Sequence, residues 1–241
     1  ETLLPLSLCG SVALLYLFGL AGALSLGAYA LLALAGACYL GAILRLLRKR
    51  IAPAALFARV CTPATALFAL LFLMAVLCNY GRMPYHGDEF SHWAYAVKAM
   101  TRLDTFAAAP AANALYGSYP PGVQLLQYAV QKHYGLFAGA GAFCDWLLFL
   151  PYQTLAFGLL VPFFSGCSWR RAHTLLPAYA IIFLLPLTLF PLFYESTFVD
   201  PLLALLAAYC LATIWRAPQQ TDKLTAATLL AAIMTLTLAK D

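Results

Sequence analysis

The sequence predicts an all-α protein, built as a polytopic bundle of about seven membrane-spanning helices. Three observations predict this class: 64% of the 241 residues are hydrophobic, only 10% are charged, and the mean hydropathy is +0.85. A soluble domain is about half apolar and about one-quarter charged, and one of this length could not bury so much apolar surface in a single core. The composition therefore excludes an ordinary soluble enzyme, a nucleic-acid-binding domain and a disordered chain.

Seven apolar runs are long enough, or nearly long enough, to cross a bilayer, which takes about 20 residues. We interpret all of residues 1–241 as one transmembrane domain, in which residues 1–59 supply two spans and a basic loop. Residues 60–241 then form the membrane core, with a long loop over residues 79–135. Because the chain ends directly after an apolar run, we expect it to be incomplete at the C-terminus. The runs cover residues 3–20, 25–47, 60–78, 136–164, 174–190, 198–215 and 224–239.

The basic residues predict which loops face the cytoplasm, where positive charge collects. A basic segment with Arg45, Arg48, Lys49 and Arg50 begins at the end of the second run and leads into the following loop. We place the loop after the second run in the cytoplasm. Because successive spans cross the membrane in opposite directions, nine of the 14 basic residues then lie in the cytoplasm and five outside. The 79–135 loop then faces outward.

The 79–135 loop is the only long connection, and connections of this length usually carry function or structure of their own. Asp88 is expected to cap a helix there, since aspartate is a favoured N-cap residue. Residues at helical spacing form an apolar stripe on one face of that helix. Such a helix is typical of the membrane interface. The stripe consists of Phe90, Trp93, Val97 and Met100.

Two adjacent carboxylates, Asp88 and Glu89, stand just outside a predicted span, between His86 and His92. One interpretation is that the two acids only cap a surface helix. The other is a site in which a carboxylate near the low-dielectric boundary serves as a general base. His86, Asp88 and His92 are also residue types that could hold a divalent metal ion. Two alternatives therefore stay open: the protein uses a divalent metal ion, or it uses no cofactor. The seven scattered cysteines predict neither a disulfide framework nor a zinc site.

Further along the loop, the motif Tyr119-Pro120-Pro121-Gly122 disfavours helix before it and favours helix after it. A second amphipathic helix is therefore predicted over residues 123–133, with polar side chains among the apolar ones. This helix either packs beneath the first or lines a groove for an acceptor.

These motifs, taken in order, resemble the membrane glycosyltransferases of the GT-C fold. Among them they are most similar to bacterial relatives of the protein O-mannosyltransferases and of the lipid A aminoarabinose transferases. In this chain two apolar helices precede the span that leads into the loop, whereas such relatives usually have one span before it. Relatives also often have a proline and a glycine after the lysine that Lys240 resembles, and this chain ends before them. The matching segments are Gly87-Asp88-Glu89-Phe90-Ser91-His92-Trp93, Lys98-Ala99-Met100, Tyr119-Pro120-Pro121-Gly122 and Tyr194-Glu195 with Asp200-Pro201.

The resemblance implies that a sugar is transferred, with inversion, from a polyprenyl-phosphate donor to an acceptor outside a bacterial-type plasma (inner) membrane. Asp88 would then be the catalytic base, and Glu89 the second catalytic residue, orienting the base or the acceptor. The partners would be the lipid-linked donor, the bilayer and an acceptor of unknown kind, without nucleic acid. The substrate-binding residues that the resemblance implies are Arg82, His92, Lys98, Tyr119, Glu195, Asp200 and Lys240.

Two other function classes stay open. One is a transporter or flippase for a lipid-linked sugar, and the other is a non-catalytic membrane subunit of a cell-envelope complex. Transporters tend to place charges and helix breaks near mid-membrane. Here five of the nine acids lie in or beside predicted outer loops, which favours chemistry at a surface. These acids are Asp88, Glu89, Asp104, Glu195 and Asp200.

Overall fold

The computed structural model describes residues 3–50, 52–115, 117–216 and 222–240. Within these ranges the chain forms ten α-helices, some of them continued by short 3-10 or π turns, and no β-strand. The all-α class predicted from composition is confirmed. The helices are α1 (Leu3–Leu20), α2 (Leu24–Arg48), α3 (Pro53–Val60), α4 (Pro63–Asn79), α5 (Ala94–Leu103), α6 (Gly122–Ala138), α7 (Phe149–Leu160), α8 (Ala172–Leu189), α9 (Val199–Arg216) and α10 (Lys223–Ala239).

Each of the seven predicted apolar runs contains an apolar helix. Four helical stretches in the described ranges are long and apolar enough to cross a bilayer, and these are Leu3–Leu20, Leu24–Arg48, Asp145–Phe164 and Val199–Arg216. Three shorter apolar stretches are Pro63–Asn79, Leu175–Leu189 and Lys223–Ala239. The helices are therefore compatible with a membrane protein, in which length alone supports four spans.

Much of the apolar surface lies outside the core, most of all on α2. Only Leu24, Gly27 and Ala28, near the beginning of this helix, are buried. Beyond them, large side chains such as Tyr39 and Leu47 are 75% and 69% exposed. A soluble monomer rarely exposes a continuous apolar surface of this kind, so α2 is suited to contact with lipid.

The core forms where α1 and α7 pack against the later helices. α1 packs on α10, α2 and α6, and its Val12 and Leu15 are fully buried. α7 packs on α4, α6 and α9, and its Leu155 is fully buried. The first helix of the 1–59 region thus packs directly on the last described helix of the 60–241 region.

The run over residues 136–164 is not one helix, so that part of the prediction is wrong. α6 continues to Ala138, and the helical stretch that could cross a bilayer begins only at Asp145. Between them, Gly139 and Gly141 have φ angles of +104° and +79°, a conformation that glycine adopts readily and that interrupts a helix. The apolar character of the run does not by itself reveal that the helix is interrupted at these two glycines.

The second predicted helix is confirmed as α6, but its glutamines face inward rather than toward solvent. Gln131 is fully buried, donates to the Cys144 carbonyl over 2.7 Å and accepts from the Cys144 N–H over 2.9 Å. Gln127 donates to the Leu148 carbonyl over 2.9 Å. These bonds tie the side chains of α6 to the backbone just before α7, so α6 holds the start of the α7 stretch in place.

Candidate functional site

The candidate site lies where the connection after α4 meets the linker between α8 and α9, residues 190–198, which we call the 190–198 linker. Asn79, the last residue of α4, is fully buried and donates to the carbonyl of Tyr194 over 2.8 Å. From α7, Gln153 donates to the Phe193 carbonyl and Tyr152 to the Phe198 carbonyl, both over 2.6 Å. Three side chains from two helices therefore hold the backbone of this linker. We call the end of the bundle where it lies the site end.

Glu89 fastens the other side of the 190–198 linker. Its carboxylate is fully buried, and Oε1 accepts from the backbone N–H of Thr197 over 2.5 Å and from the Thr197 hydroxyl over 3.2 Å. Oε2 is also buried and has no hydrogen-bond partner among the described residues. Because burying a carboxylate is costly unless it is hydrogen-bonded or paired, Glu89 depends on the position of the linker.

Asp88, by contrast, is exposed to solvent. Its backbone already has helical angles, φ −69° and ψ −34°, and its side chain forms no capping hydrogen bond. The prediction that Asp88 caps the helix is therefore wrong, because the helical segment begins one residue earlier, at Gly87. Of the two adjacent carboxylates, only Asp88 is open to a solute.

A π-helical turn over Glu89–Trp93 leads into α5. The predicted apolar stripe is confirmed for Trp93, Val97 and Met100, which are buried, but is wrong for Phe90, which is 70% exposed. A π turn holds more residues per turn than an α-helix and so changes which residues share a face. Single π turns of this kind are frequent at functional sites.

His92 is buried one helical turn beyond Asp88. Its Nδ1 donates to the carbonyl of Leu115 over 3.0 Å, and the edge of its ring meets Tyr119 at a centroid distance of 5.1 Å. Burial lowers the pKa of His92, against the opposing effects of the Leu115 carbonyl and the negative charge of Asp88. The predicted residues His92 and Tyr119 therefore lie together, on the inner side of the segment that presents Asp88.

Four further predicted residues form two ion pairs at the site end. Arg82 Nη1 lies 2.8 Å from Glu195 Oε2, and Lys240 Nζ lies 2.7 Å from Asp200 Oδ1. Although burial acts to lower the pKa of Arg82, the hydrogen bond and charge of Glu195 raise it above its ordinary value. Each pair joins segments that are distant in sequence: Glu195 contacts the 79–135 loop, and Asp200 contacts the residue that follows α10.

Lys98 lies away from these pairs. It is exposed on α5, with its Nζ 5.4 Å from the centroid of the Phe143 ring, and it lines a separate cleft with Tyr95 and Arg102. The structure therefore brings together Arg82, Glu89, Glu195, Asp200 and Lys240 around the 190–198 linker and leaves Lys98 outside.

The predicted metal ligands do not form a metal centre. In the described part of the chain, no group of three or more His, Cys, Asp or Glu side chains is arranged to hold a metal ion. His86 instead packs on the rings of Tyr85 and Phe198, at centroid distances of 4.0 and 5.6 Å. His86 and His92 are thus committed to different packing environments.

Sequence reasoning missed Asn79, Tyr152 and Gln153, which hold the linker, and Thr197, the linker residue that donates to Glu89. A signal for two of them exists: Asn79 and Gln153 are polar residues next to or within apolar runs, and such residues are often functional. Their shared target, the 190–198 linker, is separated from them by tens of residues and could not be read from spacing.

An apolar groove of about 490 Å³ runs between α8 and α9 over one face of α7. Aliphatic and aromatic side chains make up most of its walls, and Asp200, at the start of α9, is the acidic residue among those that line it at the site end. The ion pair with Lys240 therefore lies at one end of an otherwise apolar channel. Representative lining residues are Phe157, Ile182, Leu185, Phe190, Pro201 and Leu205.

In comparisons with known proteins, no protein-family model, no curated protein and no solved structure matches this chain.

Proposed function

We propose that this protein is a membrane glycosyltransferase that moves a sugar from a polyprenyl-phosphate donor to an acceptor hydroxyl at the site end. One observation carries the proposal: the solvent-exposed Asp88 is joined, through Glu89 and Thr197, to the linker that leads to the Asp200–Lys240 pair at the end of an apolar groove. A lipid-linked sugar needs both an apolar channel for its tail and charged groups beside its phosphate.

In this proposal the prenyl tail occupies the groove between α8 and α9, and the donor phosphate lies near Lys240. Asp88 takes the proton from the acceptor hydroxyl, whose oxygen attacks the anomeric carbon from the side opposite the phosphate. The bond between that carbon and the phosphate oxygen breaks, its electrons leave with the lipid phosphate, and the configuration is inverted. Cations stabilise the charge that develops on such a leaving phosphate.

The other predicted residues receive supporting roles. Glu89, which is buried, orients the segment that carries Asp88 rather than touching the acceptor. Arg82 and Glu195 lock the same segment to the 190–198 linker. The proposal also includes seven spans and places the site end outside the cell, in the membrane of a bacterial-type envelope.

The test is donor turnover by the full-length protein reconstituted in liposomes. Polyprenyl-phosphate mannose and polyprenyl-phosphate aminoarabinose serve as donors, and release of polyprenyl phosphate is measured. Asp88→Asn is expected to lower turnover by about 10²-fold or more, since a positioned general base contributes typically 10²–10⁴-fold. Binding of the donor should change little, because the Asp88 carboxylate acts on the acceptor.

Asp222→Asn is the matched control. Asp222 is also exposed, but it caps the start of α10, where it accepts from the Thr225 N–H over 2.7 Å, and asparagine caps a helix equally well. This variant should retain full turnover. Turnover in Asp88→Asn within twofold of the unmodified protein would remove Asp88 as the base, and a folded protein inactive on both donors would count against the proposed donor class.

A further inference from the structure

A polar cleft lies on α5, outside the site described above. It encloses about 380 Å³ and is lined by Tyr95, Lys98, Arg102, Leu103 and Asn113, together with neighbouring alanines. The 3-10 turn over Pro110–Ala112 forms one wall, which the Tyr95 hydroxyl holds by donating to the Ala112 carbonyl over 3.2 Å. This bond ties the wall of the cleft to α5.

Two cations converge on this cleft without an acidic partner. Lys98 and Arg102 are four residues apart on α5 and therefore share a face. Neither forms an ion pair with a described residue, because the nearest acid in sequence, Asp104, instead binds Lys132 over 2.8 Å and accepts from the Tyr128 hydroxyl over 2.8 Å. Like charges at this spacing destabilise a helix, and a bound anion would relieve their repulsion.

The remaining lining groups indicate what kind of anion fits. Asn113 adds an amide group, on a backbone held at φ +46°. Leu103 is 43% exposed, and the aromatic ring of Phe143 lies against Lys98. Donors that converge on one side, with apolar surface beside them, suit a compact oxyanion attached to a less polar group.

We propose that this cleft binds a phosphate-bearing anion through Lys98 and Arg102. Two sources supply that chemistry: the headgroup of an anionic phospholipid and a free phosphorylated solute. The inference is independent of the proposed glycosyl transfer, because none of the residues around the 190–198 linker lines this cleft.

The test uses native mass spectrometry of the full-length protein in detergent with phosphatidylglycerol or phosphatidylcholine as the probe. Adducts of phosphatidylglycerol are expected to exceed those of phosphatidylcholine. Lys98→Gln/Arg102→Gln should lower the affinity for phosphatidylglycerol about thirtyfold, because each Lys or Arg near an anionic headgroup contributes roughly fivefold. The exchanged pair Lys98→Arg/Arg102→Lys keeps both charges and should retain binding.

Arg45→Gln/Arg48→Gln is the control, since it also removes two exposed cations from one helix and neither residue lines the α5 cleft. It should change the affinity less than threefold. Displacement of the lipid by glycerol 3-phosphate supports a soluble phosphate ligand, and retention of the lipid supports a headgroup. Equal binding of the two lipids, or an equal loss in both glutamine variants, would overturn the proposal.

Discussion

At the scale of single residues, Asp88 and Glu89 are adjacent and chemically alike, yet they occupy opposite environments. The Asp88 side chain is exposed, whereas the Glu89 side chain is fully buried against Thr197. An exposed carboxylate can meet a solute, and a buried one that accepts two hydrogen bonds can position a loop. The different roles that we propose for the two acids rest on this difference in exposure.

Glu89→Ala is expected to destabilise the protein by about 3 kcal/mol, because it removes two hydrogen bonds to a charged acceptor. Glu89→Gln should cost less than half of this, since its amide oxygen can still accept from Thr197. Thermal unfolding in detergent, monitored by tryptophan fluorescence, measures the loss of stability in both variants. Asp88→Ala is the control and should stay within about 0.5 kcal/mol. An equal loss at the two positions would contradict the buried role of Glu89.

His92 predicts a pH dependence of stability. Its pKa is lowered in the folded protein, so the unfolded chain binds more protons as the pH falls below about 6.5, the ordinary histidine pKa. The stabilising contribution of the neutral ring is complete above that value and is lost as the pH falls through the folded pKa.

The measurement compares the unfolding temperatures of the unmodified protein and of His92→Asn at pH 7.5 and 5.5. Asparagine can still donate to the Leu115 carbonyl but has no proton to gain. The unmodified protein should therefore lose more stability between the two pH values than the variant. Identical pH dependence in both would show that His92 is not the group responsible.

At the scale of elements, two features position the site end: the hydrogen bonds that hold the 190–198 linker, and the close approach of α6 to α10. The 190–198 linker is held by α4, by α7 and by the π turn, through hydrogen bonds to its backbone. The beginning of α6 approaches the end of α10 so closely that a Cβ atom on Gly122 would lie 2.5 Å from the Leu238 carbonyl oxygen. The position of Lys240, two residues later, depends on this approach.

Gly122→Ala should therefore destabilise the protein, by about 1–3 kcal/mol, because the added methyl group meets backbone atoms that cannot turn aside. Gly135→Ala, on the same helix, is the matched control. A Cβ atom there has no neighbour within 4 Å, so alanine should stabilise α6 by about 0.5–1 kcal/mol. Thermal unfolding of the two variants should shift in opposite directions. Shifts of the same sign would contradict the close packing of α6 on α10.

At the scale of the whole molecule, the polar groups divide between the two ends of the bundle. Trp169 donates to the Cys61 carbonyl over 2.9 Å, which joins the beginnings of α4 and α8 at the end opposite the site. The basic residues Arg170 and Arg171 follow directly at that end, and Arg216 lies over the Phe163 ring at 5.0 Å. This arrangement agrees with the proposed orientation, in which the site end faces outward.

Cysteine labelling tests the orientation. In a chain without its native cysteines, Ser91→Cys should react with an impermeant thiol reagent applied to intact cells, because Ser91 is exposed at the site end. Ser168→Cys, exposed at the opposite end, should react only after the cells are permeabilised. Labelling with the reverse accessibility would invert the proposed topology.

The amino-acid sequence by itself determined the helical class, the positions of the apolar helices except for the break within residues 136–164, and the segment that holds Asp88 and Glu89. These features depend on composition and on short-range periodicity, which are local properties of the chain. Only the tertiary structure decided that Glu89 is buried and Asp88 exposed, and that Lys98 lies in a separate cleft. It also decided the pairing of Arg82 with Glu195. The physical reason is that the burial of Glu89 and the pairing of Arg82 depend on Thr197 and Glu195, which lie about a hundred residues away along the chain. The place of Lys98 depends on how the loop after α5 folds back onto that helix.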